Sequence, residues 1–221
     1  MSISRSLYLN FIFLIITIST ISAKNDLFTI MIDPAGDAKH TGRLIQDTLE
    51  RGISLQCAEE LKKVIMQKYS NVRVIITRVP GETIQPLQTA AFINRLDADL
   101  SLSLYFYYEH NNPAYITLYH YLENPVVDFW HKPINLCFYN VNQAYLANLT
   151  KTKQWGLEIL QVLQNKKISK HFEPRGLFGI PFKPLLGIKS PALAFEIGLK
   201  NKNDWQHIID PLVQALEKII S

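Results

Sequence analysis

Glu196 stands inside the apolar run 192–197 (ALAFEI), between Phe195 and Ile197. A carboxylate flanked in this way is desolvated unless it points into a crevice, where it takes a place in a site. The competing use for such a group is a buried ion pair. Glu50 stands at the start of an amphipathic stretch, where a carboxylate either ligates a metal or complements the dipole of a helix. The segment 33–40 (DPAGDAKH) adds Asp33, Asp37 and His40. His40 suits a metal as well as it suits an exposed loop, and Asp33 before Pro34 is equally explained by turn chemistry. Several acids and a histidine are thus candidates to meet in one crevice. His110, His120, His131, His171 and His207 lack partner spacing and are read as structural or exposed.

The elements that must position these groups follow from periodicity. Residues 28–32 (FTIMI) read as a buried strand running into a loop at Asp33-Pro34. From Glu50 to Lys68, Ile53, Cys57, Leu61, Val64 and Ile65 recur at helical spacing, so Glu50 opens a helix. A strand is predicted at 72–77, a helix at 86–96, and an alternating strand at 98–106. This β-α-β-α-β order predicts an α/β domain with a mainly parallel sheet, helices on its faces and right-handed crossovers. Further strands are expected at 115–121 and 192–197, and helices at 151–164 and through 208–219, the last capped by Asn203 or Asp204 with its first turns distorted by Pro211. Residues 173–191, punctuated by Gly and Pro, read as a long irregular segment. In such a sheet, ligands bind in the crevice at the carboxyl ends of the strands, where the loops carrying Asp33 to His40, Tyr105 and Glu196 converge.

Several of these residues together carry a likeness. Asp33-Pro34, Glu50 with Leu55, Ala58 and Leu61, Thr77-Arg78, Asn94 with Ala98-Asp99, and Pro191-Ala192 through Glu196-Ile197-Gly198 fall in an order and spacing that resembles the zinc-dependent N-acetylmuramoyl-L-alanine amidases of the cell-wall hydrolase type. The resemblance implies a three-layer α/β/α fold and hydrolysis of the amide between the muramoyl lactyl group and L-alanine, with peptidoglycan fragments as substrate. It also implies three zinc ligands, which fall on Gly36, Glu50 and Tyr105, and a catalytic glutamate, which falls on Glu196. Two of the three ligand positions thus lack the family's histidine. One carboxylate cannot hold Zn²⁺ tightly, and a phenol must lose its proton to ligate well. A rearranged site from His40, Glu50 and Asp37 is the alternative. Arg175, where the family has a groove-lining segment, is a candidate for gripping a peptide carboxylate, and Tyr105 is a second substrate-side candidate. The tyrosines from Tyr105 to Tyr121 suit either stacking on sugar rings or filling a core.

Composition narrows the classes. With 48% hydrophobic and 19% charged residues, the 221-residue chain is globular, and its net charge of +4 is dispersed, with no nucleic-acid footprint. Arg5 followed by the apolar run 7–21 predicts a signal peptide over 1–23, with an uncleaved N-terminal anchor as the alternative, ahead of one domain at 24–221. The run is short for a bilayer span, so export to the periplasm or exterior is expected, with no lasting membrane partner. Cys57 and Cys137 show no metal-type spacing and are read as core residues, with one disulfide as the alternative. Asn148-Leu149-Thr150 fits a glycosylation sequon. Three functions stay open: an amidase with a relocated zinc site, a degenerate amidase domain that binds peptidoglycan or a protein regulator without cleavage, and a scaffold with neither role.

Overall fold

A computed structural model describes residues 27–110, 114–123 and 140–220. The predicted signal segment, Cys137 and His131 lie outside the described residues, and no described helix is long and apolar enough to cross a membrane.

Strand β1 (Phe28–Pro34) pairs in parallel with β4 (Val72–Ile76) on one side and β5 (Leu100–Tyr108) on the other. Strand β8 (Ala192–Leu199) extends the parallel set beyond β5. Strands β6 (Ala114–Tyr121) and β7 (Phe172–Ile180) then run the opposite way, giving the order β4-β1-β5-β8-β6-β7. The two-residue strands β2 (Leu44–Ile45) and β3 (Thr48–Leu49) form a small hairpin just before the first helix, a feature absent from the expectation of a plain loop.

Helices cover both faces, as the three-layer expectation requires. One face carries α1 (Glu50–Lys68), α3 (Leu149–Leu163) and α4 (Ile209–Ile220), packed through residues such as Leu61, Ile159 and Leu212 onto Ile32, Leu104, Phe106, Phe195 and Ile197. The other carries α2 (Pro86–Arg95), with Leu185 and Tyr145 from 3₁₀ turns, packed onto Met31, Ala192 and Ala194. This second layer is the thinner one. In β8, residues 193, 195 and 197 belong to the first face and 192 and 194 to the second. Strand alternation therefore sends Glu196 to the thinner side, which is why it escapes the burial of Phe195 and Ile197.

Two expectations need correction. Residues 172–180 are not irregular but form the edge strand β7, in which Pro174 costs no central ladder bond because the strand has a partner on one side only. At the last helix, neither Asn203 nor Asp204 caps α4: a 3₁₀ turn (Asp204–Ile208) intervenes, and Asp204 instead accepts from the Asn201 backbone N–H at 2.9 Å. Pro211 sits in the first turn of α4, where a helix makes no use of the missing N–H. Cys57 is fully buried, as read from its place on the apolar stripe.

Candidate functional site

The carboxyl ends of β1, β5 and β8 and the loop ahead of α1 bring the sequence candidates to one edge of the sheet. Glu50, only 3% exposed, is held by the backbone on both oxygens: the Phe106 N–H donates to Oε1 at 2.8 Å and the Arg43 N–H donates to Oε2 at 2.9 Å. Its own N–H donates to the Arg43 carbonyl at 2.8 Å. The carboxylate is thus a clip that ties the 42–43 turn to the end of β5. Gly42 is built around it, with φ at +75° and a position where an added Cβ would stand 2.7 Å from Glu50 Oε2. Because that oxygen is pinned, Gly42→Ala adds backbone strain and a clash together. We expect a loss of roughly 2–3 kcal/mol, read as a lowered urea midpoint.

Glu196 lies in register between Tyr105 of β5 and Thr117 of β6. Its two oxygens are also engaged, but by side chains: Arg43 Nη2 donates to Oε1 at 2.7 Å, and the Tyr119 hydroxyl donates to Oε2 at 3.0 Å. The Arg43 guanidinium lies 5.8 Å from the centre of the Tyr107 ring. Burial, followed by the Glu109 charge, pushes the Tyr107 phenol up to about 12, and burial followed by the Glu196 charge raises that of Tyr119. Both hydroxyls therefore stay protonated donors. Arg175 is exposed on β7 with its guanidinium 3.6 Å from the centre of the Tyr115 ring, and its charge is felt at Tyr107 and Tyr119, so it stands beside the Glu196 cluster. Phe178 and Phe182 flank Tyr119, with ring centres 6.3 and 5.9 Å away. Tyr115, Tyr119, Phe178 and Phe182 make an aromatic shelf next to two guanidinium groups.

On the other side of Tyr105 lies a cavity of about 560 Å³, lined by Asp33, Asp37, His40, Thr77 and Lys183 among others. Here the Asp37 carboxylate accepts from the Lys39 backbone N–H at 2.8 Å and sits 3.2 Å from His40 Nδ1. The backbone N–H bonds and the imidazole hold the Asp37 carboxyl below its ordinary value, against the opposing pull of burial. Asp33 is the half-buried floor of this cavity: burial lifts its carboxyl to about 6, even though the Thr77 hydroxyl donates to it and the Arg78 charge is near. Arg78 itself serves the backbone, donating to the carbonyls of Pro34, Ala35 and Arg51. Tyr105 packs edge-on to Phe182, and burial, then the charges of Asp33 and Glu50, drive its phenol far above the ordinary value.

This donor set does not fit a zinc ion. Among the described residues, no three His, Cys, Asp or Glu side chains converge. Both Glu50 oxygens already accept backbone N–H bonds, Tyr105 keeps its proton at neutral pH, and the Gly36 position offers no side chain at all. His40 turns to Asp37, with its side chain 64% exposed. The geometry therefore brings His40 and Asp37 together as a pair, without assembling them with Glu50 into a ligand trio. Arg43, which sequence reasoning overlooked, is the cation that Glu196 meets instead. The one signal for it was its place in the loop between Gly36 and Glu50. Asn148, of the glycosylation sequon, uses its amide to donate to the Lys189 carbonyl at 2.9 Å.

Comparison with known proteins agrees with the fold and with the family resemblance. The family described as N-acetylmuramoyl-L-alanine amidase matches residues 30–220. A curated relative, the N-acetylmuramoyl-L-alanine amidase CwlM of Bacillus licheniformis, is 30% identical over 76 residues, a stretch covering 34% of this chain and 30% of that protein. Among solved structures, an N-acetylmuramoyl-L-alanine amidase from Clostridium difficile 630 superposes with a TM-score of 0.65 at 17% identity, covering 88% of this chain and 97% of the other. AmiC2 of Nostoc punctiforme gives 0.62 at 13% identity over 87% and 97%. The CwlD amidase from Clostridioides difficile, solved in complex with the GerS lipoprotein, gives 0.56 at 15% identity over 85% and 93%. With the family match spanning residues 30–220, almost all of the described residues, this chain belongs to the N-acetylmuramoyl-L-alanine amidase family.

Proposed function

We propose that this protein is an amidase-fold binder of peptidoglycan fragments that works without zinc and without cleaving the lactyl–L-alanine amide. The observation that carries this reading is that no metal-ligand trio stands beside Glu196 among the described residues. A general base in this chemistry needs a neighbouring group that makes the attacking water acidic. Glu196 instead meets a guanidinium on one oxygen and a phenol on the other. What the edge does offer is a binding surface. The exposed ring of Phe178, with Tyr119 and Phe182, presents flat apolar area for a sugar face, and Arg175 is a forked donor for a carboxylate of a peptide stem. Delivery to the wall compartment rests on the apolar run 7–21. The competing reading, an amidase with zinc held by His40 and Glu50, requires His40 to leave Asp37 and a third ligand that the described residues do not bring there.

The experiment is to saturate the purified protein with zinc, desalt it, measure bound metal, and incubate it with soluble muropeptides. The expected result is substoichiometric zinc, no released stem peptide, and measurable muropeptide binding that weakens about tenfold in Arg175→Ala and in Phe178→Ala, the loss of about one charged hydrogen bond or one stacked ring. Stoichiometric zinc with peptide release that disappears in Glu196→Gln would overturn it.

A further inference from the structure

We propose a second ligand site, for a small organic phosphate, in the cavity of about 630 Å³ between the start of β7 and the turn that follows β8. It shares no lining residue with the cavity beside Tyr105. Its walls carry Lys170 and His171 from the approach to β7, and Lys200 and His207 from the segment after β8. Neither lysine has an ion-pair partner among the described residues, whereas nearby Lys202 is neutralised by Asp47 at 2.8 Å. The single acid in the lining, Asp204, is occupied locally: the Asn201 N–H donates to it at 2.9 Å, and the Asn201 side-chain amide lies 3.3 Å away. The lining thus sets two lysines against one carboxylate, and an excess of positive charge gathers there.

The two imidazoles decide what kind of ligand suits the place. They stack with ring centres 4.0 Å apart and planes 12° from parallel. In that arrangement their nitrogen lone pairs run side by side in separate planes and cannot converge on one ion at about 2.0–2.1 Å, so the pair does not chelate a metal. Its N–H edges can instead both donate to one multi-oxygen anion. A phosphate ester has three strong acceptor oxygens and close to two negative charges at neutral pH, which matches two ammonium groups and two imidazole edges. Ala114 and Phe172, buried at the starts of β6 and β7, add an apolar portion to the lining. A cavity of this volume, larger than a bare phosphate ion needs, suits an organic body attached to the phosphate.

The test uses the whole protein, titrated by calorimetry at constant ionic strength with glycerol 3-phosphate, inorganic phosphate and chloride, while NMR follows the His171 and His207 ring protons. Glycerol 3-phosphate is expected to bind and move both rings, with affinity falling at least tenfold in the Lys170→Ala/Lys200→Gln double variant. Both lysines are charged side chains at the surface, and thermal unfolding checks that the variant stays folded. His207→Ala, which removes the stack, is expected to weaken binding as well. Inorganic phosphate binding as tightly as the ester would overturn the assignment of an organic occupant. Equal affinity in the double variant, ring shifts reproduced by chloride, or ring protons that do not respond to either phosphate would overturn the proposal.

Discussion

Glu50→Ala is expected to lower the thermal midpoint by roughly 10 °C, without any loss of bound metal. The size follows from what the carboxylate holds. It is buried at 3% exposure and accepts one backbone N–H on each oxygen, from Arg43 and Phe106. Hydrogen bonds to a charged acceptor contribute about 1.5–3 kcal/mol each, and alanine would leave two amides without a partner where water enters poorly. A total of about 3–5 kcal/mol is the consequence, and for a domain of this size each kcal/mol moves the midpoint by about 2–4 °C. Glu50→Gln keeps one acceptor oxygen and exchanges the other for an amide that faces the N–H it should accept from. It should therefore recover only part of the loss. A zinc ligand would behave differently, since its substitution would leave the metal-free protein nearly as stable as before and would abolish protection by added zinc. Thermal unfolding of the three proteins, with zinc and with a chelator, separates the two. A midpoint for Glu50→Ala within 2 °C of the parent would sink the clip assignment.

Glu50 also shows where legibility in the sequence ends. That it opens a helix was readable, because Ile53, Cys57, Leu61 and Ile65 fix the stripe and hence the first turn, and α1 begins at Glu50 as expected. Its task was not readable, because its donors are backbone N–H groups, one of them 56 residues away, and any residue type supplies an N–H. Glu196 was legible as a crevice acid through the alternation of ALAFEI, whereas its partner Arg43 lies 153 residues earlier in a loop with no periodicity. The parallel half of the sheet was legible because each of its strands is a continuous apolar or alternating run. Strand β7 was not, since edge strands tolerate Pro174, Gly176 and Gly179, which in a central strand would argue against pairing. Periodicity reports burial, and the features it missed are those held by a backbone donor, a distant charge or an edge.

The second large effect concerns Asp33, whose carboxyl is lifted from 3.8 to about 6 chiefly by burial. Its sign is opposite to that of an ion-paired carboxylate. With the folded value above the unfolded one, the folded state holds the proton more tightly, so the stabilisation is complete below about pH 4 and disappears as pH rises through 6. Between those limits the folded protein must increasingly accept a desolvated anion that the unfolded chain solvates freely. A shift of this size corresponds to about 3 kcal/mol, an upper figure because the cavity beside Asp33 admits water. Asp33→Asn removes the titration while keeping an acceptor for the Thr77 hydroxyl. Urea unfolding of both proteins at pH 4.5 and 7.5 isolates the contribution from every other titrating group. The variant should be more stable than the parent by about 1–2 kcal/mol at pH 7.5, with the difference shrinking toward pH 4.5. A variant less stable at pH 7.5 would mean that the Arg78 charge outweighs the desolvation, and that Asp33 faces the cavity as a settled anion rather than a carboxyl poised to lose its proton near pH 6.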